Sequence, residues 1–257
     1  MGSTLQDQWL HASLKRKKSH EFEKSPDRFE TFQPASADEW RKLIMIQYKL
    51  INYAKIFSKK NNVDMLLTGS FCNGYPQEYS DIDIIMVSQD SYLIDEFIGG
   101  YGDIIYSTYT VNPEGICIVL YENGVCLDLD LRKSLSLDDI KTAKYLNLEK
   151  ERIFGDGERV TKLDLKNIFF SSGYNQFIRL FHRTMIKKLS HNNEMASFIL
   201  NEINEGLHSF GVTNIQWKNN YYPDLKSALT EANLFCKMPH KYFSYLKYLM
   251  QKFENNA

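Results

Sequence analysis

Hydrophobic positions along the first half of the chain recur in two different periods. From Asp38, which can cap a helix, Trp40, Leu43, Ile44, Tyr48, Leu50, Ile51, Ala54 and Phe57 fall at helical spacing as far as about Lys60, and such a helix would cover the back of a sheet. Residues 63–68 are a short apolar run that reads as a strand, ended at Gly69 where the backbone must turn sharply. Residues 71–80 carry Asn73, Gly74 and Pro76 and read as a loop. Residues 81–87 alternate acid and aliphatic before becoming wholly apolar, a strand whose period of two places Asp81 and Asp83 on one face. Residues 91–99 read as a short helix and residues 103–111 as another strand. Asn123-Gly124 then joins strands 115–122 and 125–132 in a hairpin, with Leu127, Leu129 and Leu131 on one face and Asp128 and Asp130 on the other. Counting outward from that turn pairs Cys126 with Tyr121 and Cys117 with Asp130.

Ser136-Leu137-Asp138-Asp139 predicts a helix running to about Asn147, after which the pattern is mainly helical to the end. The division expected is a polar arm over 1–37, a sheet-bearing domain over 38–150 and a helical domain over 151–257. With 257 residues, 43% of them hydrophobic, the chain can bury the cores of two small domains. A net charge of −1 supplies no global basic field, which makes nucleic acid an unlikely partner, and no apolar run is long enough to span a membrane. Four cysteines without a Cys-x-x-Cys pair predict free thiols in a reduced, cytoplasmic protein. The basic cluster at Lys15, Arg16, Lys17 and Lys18 reads as solvated charge on the arm.

The candidate chemistry lies in the first half. Ser70 can offer a hydroxyl and a backbone N–H to a phosphate oxygen at the turn made by Gly69. Ten residues separate Ser70 from Asp81. Asp81 and Asp83, side by side, would repel each other unless a cation sat between them, and hard oxygen donors suit Mg²⁺ shared with a substrate's phosphates. The bland alternative is a solvated edge strand, but aspartate is disfavoured in strands and the opposite face here is apolar. Asp128 and Asp130 repeat the arrangement and supply a third acid. Phosphate loops of the Gly-x-x-x-x-Gly-Lys-Ser/Thr type, dinucleotide turns and kinase catalytic-loop signatures do not occur.

Gly-Ser, a loop, Asp-x-Asp on a strand and a further Asp on a later hairpin strand resemble the polymerase β-type nucleotidyltransferase superfamily. Within it the chain is most similar to bacterial antibiotic nucleotidyltransferases, both aminoglycoside 6-adenylyltransferases and lincosamide enzymes. Gly102-Asp103-Ile104-Ile105, residues 118–124 and Leu127-Asp128-Leu129 carry the likeness to the aminoglycoside 6-adenylyltransferases. The resemblance implies an α+β fold, with a mixed sheet backed by helices and followed by a C-terminal helical domain, and a cleft holding nucleotide and acceptor. It implies an enzyme of antibiotic resistance that moves AMP from ATP onto a hydroxyl of a small molecule. Two Mg²⁺ ions would be held by Asp81, Asp83 and Asp128, and Gly69 and Ser70 would bind the nucleotide. Asp130 departs from the family's usual pattern, and either Asp128 or Asp130 can be the general base. Two other readings are transfer onto a protein or tRNA, as in toxin-like members, and a catalytically silent nucleotide-binding module.

In the helical half, Ile168, Phe169, Tyr174, Phe177, Ile178, Phe181, Met185 and Leu189 share helical spacing with Arg179, His182, Arg183, Lys187 and Lys188 between them. The cations read as a wet face or as arms toward a triphosphate. His182 and His208 read as packed or surface residues, the late tyrosines as core, and residues 154–157 as a turn between the halves.

Overall fold

The computed structural model describes residues 37–77, 79–111, 114–147, 154–161, 173–212, 215, 217, 218 and 220–255. The arm, with its basic cluster, lies outside them, as do Ile168, Phe169 and the side chains of Trp40, Leu43, Ile44 and Cys236. The chain forms two compact units, divided after Ser171.

In the first unit, α1 (Ala37–Asn61) leads into β1 (Met65–Leu67), the short helix α2 (Gly69–Asn73) and β2 (Ile82–Val87). Next come α3 (Ser91–Tyr101), β3 (Ile104–Val111), β4 (Glu114–Tyr121), β5 (Cys126–Arg132), α4 (Leu137–Thr142) and β6 (Lys144–Tyr145). Six strands among the described residues make one mixed sheet in the order β3-β4-β5-β2-β1-β6, with β2 and β5 parallel and the other neighbours antiparallel. The α+β class expected from the sequence is the one observed.

Alternation divides the sheet into two unlike faces. Ile82, Ile84, Met86, Cys117, Val119, Leu127, Leu129 and Leu131 point to one face, where they pack with Leu50, Ala54 and Phe57 of α1 and Ile94, Phe97 and Ile98 of α3. Tyr53 stacks on Phe97 at 5.5 Å, and the buried Tyr121 hydroxyl donates to the Ile98 carbonyl at 2.9 Å. The opposite face carries a smaller cluster of Leu66, Ile85, Val87 and Leu135, covered by Ile140 and Tyr145. The acids lie on that second face.

Three details of the chain path depart from the sequence reading. Phe71, Cys72 and Asn73 are not loop but the end of α2, which closes at Gly74 in the left-handed region. The helix at Ser136 has the expected start, a capping box with Asp139, but ends at Thr142 because Ala143 turns extended and β6 pairs with β1 at the sheet edge. The hairpin register is one residue away from the count made from a two-residue turn. Tyr121 N–H donates to the Val125 carbonyl and Gly124 takes φ +84°, a three-residue turn with a glycine bulge, so Cys126 faces Leu120 and Cys117 faces Leu129. A one-residue slip exchanges the two faces of a strand, and this register keeps Cys117 and Val119 in the core beside the leucines. Cys72, Cys117 and Cys126 are not joined in a disulfide.

Residues 154–160 belong to the sheet unit, which moves the boundary from the expected 150 to 171. Gly155 N–H donates to Leu135 O at 3.0 Å, Lys133 N–H to Glu158 O at 2.7 Å and Val160 N–H to Leu131 O at 2.9 Å. The expected turn at 154–157 is therefore the start of a strap lying beside the end of β5.

The second unit contains α5 (Gly173–Leu189), α6 (Asn193–Ser209), α7 (Tyr221–Cys236) and α8 (His240–Asn255). Phe177, Phe181, Leu246 and Leu249 are buried in it, and Tyr242 donates to the Ile178 carbonyl at 2.9 Å. Tyr245 and Tyr248 are core, as the spacing predicts. No helix among the described residues is long and apolar enough to cross a membrane.

Candidate active site

The site is built where β1 ends and β2 begins. Thr68 N–H donates to the Asp83 carbonyl at 2.9 Å, which fixes the end of β1 against β2. Gly69 then takes φ +63°, a conformation that glycine adopts without a steric penalty. Its lack of a side chain is needed twice over: a Cβ there would lie 2.8 Å from Cγ of Asp83 and overlap its Oδ2. The Asp83 carboxylate thus rests against the backbone of the turn that presents Ser70. At the other end of the loop, the buried Gln47 of α1 donates to the Ser80 carbonyl at 3.0 Å, anchoring the residue before Asp81.

Asp83 and Asp128 are directly opposite in the parallel β2–β5 ladder. Neighbouring strands run about 4.8 Å apart, so the two side chains start from adjacent points on the same face. Asp83 and Asp128 are therefore neighbours on the face beside the Gly69 turn. Asp81 immediately precedes β2, near enough for its charge to act on Asp83. Burial, and then the charge of Asp81, push the Asp83 carboxyl up to about 6. A cation among these carboxylates would remove both penalties on the charged form.

The donor set fits a hard divalent cation. Among the described residues no three His, Cys, Asp or Glu side chains group closely enough to hold a metal by themselves. Mg²⁺ commonly takes one or two carboxylates and completes its octahedron with water and substrate phosphates, which suits this arrangement.

Asp130, the fourth acid, has different surroundings. Arg159 donates to it through two nitrogens, Nε to Oδ1 and Nη2 to Oδ2, both at 3.0 Å, and Arg132 donates to Oδ2 at 2.7 Å. Arg132 also donates to the Gly157 carbonyl and lies 3.8 Å from the Asp139 carboxylate. These arginines are the residues that the sequence reading missed. Arg132 was signalled by its place two positions after Asp130 on the same strand face, but nothing local pointed to Arg159, 29 residues away.

In the helical unit His182 is buried against Tyr245 with ring centroids 5.7 Å apart, and burial, with Arg179 nearby, pushes its imidazole down to about 3. It is a packed neutral histidine, whereas His208 is exposed.

Residues 50–171 match the model of the nucleotidyltransferase domain family. That part of the sheet unit is similar to nucleotidyltransferase domains. The match ends at the residue where the first compact unit ends, and it includes the whole acid face and the strap. No curated protein matches the chain closely enough to count as a relative. The nucleotidyltransferase domain, followed by helices, supports a nucleotidyl transfer reaction with a nucleoside triphosphate as substrate.

Proposed function

We propose that the protein is a Mg²⁺-dependent adenylyltransferase that moves AMP from ATP onto a hydroxyl of a small molecule, such as an aminoglycoside or a lincosamide. The observation that carries this reading is the Asp83–Asp128 pairing beside Gly69, with Asp83 crowded by Asp81. Ser70 and the turn at Gly69 receive phosphate oxygens. Asp81 and Asp83 would hold one metal ion, and Asp128 would help to hold a second. Two bound Mg²⁺ ions would supply charge neutralisation at both the attacking and the leaving oxygen of an in-line displacement. Asp128 accepts the acceptor's hydroxyl proton, a new oxygen–phosphorus bond forms at the α-phosphorus, and the bond to the bridging oxygen breaks to release pyrophosphate.

One observation bears on the acceptor. Attraction of a polycationic aminoglycoside by an acidic face is weaker than four aspartates suggest, because Asp130 is matched by two guanidinium groups. An acceptor of lower charge, of the lincosamide kind, is therefore served as well as a polycationic one. Pyrophosphate release with Mg²⁺, each nucleoside triphosphate and separate pools of aminoglycosides, lincosamides, bulk tRNA and protein tests the reading. Release with ATP in a small-molecule pool is the expected result. Release only with tRNA or protein would move the acceptor to a macromolecule, and silence in all pools with retained nucleotide binding would favour a silent binding module.

A further inference from the structure

Asp130 sits two residues beyond Asp128 on the same strand face, yet its carboxylate is embedded in a charge-balanced network. Asp130 and Asp139 face Arg132 and Arg159, two anions against two cations. The side chains of Asp130, Arg132 and Asp139 are each at most 16% exposed, so these pairs are shielded from water more than ordinary surface pairs. Asp139 is in turn fixed by the capping box at Ser136, whose backbone N–H it accepts at 2.9 Å.

Two glycines make room for the network. At Gly157, φ +76°, a Cβ would lie 3.0 Å from Ser136 Cβ, 3.2 Å from an Asp139 oxygen and 3.3 Å from Arg132 Nη1. At Gly115, φ +91°, it would lie 3.0 Å from Arg159 Cβ and 3.1 Å from the Val160 carbonyl oxygen. Tyr109 donates to that same carbonyl, and Lys133 pairs with Glu158. Residues 154–160 are thus fastened to the end of β5, to α4 and to the β3–β4 hairpin at once. Ile85 and Val87, the β2 partners of Asp130 and Arg132, are already covered by Leu135 and Ile140, so the open face ends where the network begins.

We propose that Asp130 is a positioning residue and not the general base. With Arg132 and Arg159 it forms a latch that holds residues 154–160 as the end wall of the acid face, one strand pleat from Asp128. The consequence for turnover rests on the nucleotidyl transfer reading; the latch itself does not. A bidentate guanidinium–carboxylate pair is a rigid fork, which suits it to fixing a backbone segment. A carboxylate whose two oxygens both accept charge-assisted hydrogen bonds is poorly placed to take a proton from an incoming hydroxyl.

The test uses the full chain carrying Asp130→Asn, Arg159→Met, or both. Amide hydrogen exchange over residues 154–160 is expected to accelerate about tenfold or more in each variant, because local opening no longer breaks the latch. Turnover is expected to fall about 10- to 100-fold, the scale of a small misplacement near the reacting atoms, with the KM for nucleotide within about twofold of native. The double variant should be no worse than the poorer single one, since groups acting as a unit are not additive. Asp130→Asn losing turnover completely while Arg159→Met keeps it would make Asp130 the base and overturn the proposal. Native exchange at 154–160 in both variants would overturn it as well, and so would faster exchange with native turnover. If the native chain releases no pyrophosphate with any acceptor, the transfer reading fails instead, and exchange at 154–160 alone decides the latch.

Discussion

The open face of the sheet has two ends that lie on the paired strands β2 and β5 and differ in electrostatics. At one end Asp81 and Asp83 crowd one another against Gly69, and the Asp83 carboxyl is pushed up to about 6 by burial and by like charge. At the other, two residues along β5 from Asp128, Asp130 accepts from two arginines and every formal charge has an opposite beside it. At the first end burial and like charge disfavour the charged form of Asp83, and a cation would favour it. The second is satisfied as it stands. Aspartates at matching strand positions can therefore be sorted by what surrounds them, and the end where burial and like charge raise an acid has the character of a site that takes a ligand.

The largest expected effect follows from removing the crowded acids. Asp81→Asn with Asp83→Asn should lower pyrophosphate release by about 10³-fold or more, since metal-held charge stabilisation would be lost at the phosphate end. A steady-state assay checks this, and near-native turnover would remove these carboxylates from the mechanism.

Gly69→Ala comes next. The new methyl meets the Asp83 carboxylate and the residue must keep φ +63°, so activity should fall about 10²-fold and the protein should lose roughly 1–3 kcal/mol. Denaturant unfolding and turnover measure the two losses separately.

Latch variants should be milder in rate and cost about 1–3 kcal/mol, because one charge of a half-shielded pair is left behind. A calorimetric melt of Arg159→Met checks the cost; an unchanged melting point would mean that the strap is held without it.

The smallest effect is also the one with the opposite sign. A carboxylate whose folded pKa is raised from 3.8 to about 6 binds a proton more readily folded than unfolded. Its contribution favours folding below the unfolded value and is lost as pH rises from about 4 through 6. Without metal, Asp83→Asn should therefore raise the melting temperature at pH 7 by roughly 2–4 °C and have little effect near pH 4. Metal-free melts of both proteins across that range decide it. A lower melting point for the variant at pH 7 would mean that the carboxylate is stabilising as a charge.

Much of this contrast was legible in the sequence because it rests on local order. Alternation in residues 81–87 and 125–132 was enough to place Asp83, Asp128 and Asp130 on one face and the leucines on the other, and Gly69 ended the strand where the turn occurs. The hairpin register was not legible, since the same Asn123-Gly124 signal serves two-residue and three-residue turns. Neither was the short run of α4, whose end is set by the pairing of Lys144 and Tyr145 with β1. Arg159 was invisible for the same reason: its role comes from a return of the chain to the end of β5, and no spacing rule links it to Asp130. The sequence left His182 open between a packed and a surface position, and the structure buries it.

The most direct test is a titration of the full chain with a non-hydrolysable ATP analogue, with Mg²⁺ and with chelator, for the native protein, Asp83→Asn and Asp130→Asn. The account predicts Mg²⁺-dependent binding that is lost in Asp83→Asn and kept within about twofold in Asp130→Asn. Binding that survives in Asp83→Asn, or that fails equally in both variants, would contradict the division of the face into a ligand-seeking end and a latched one.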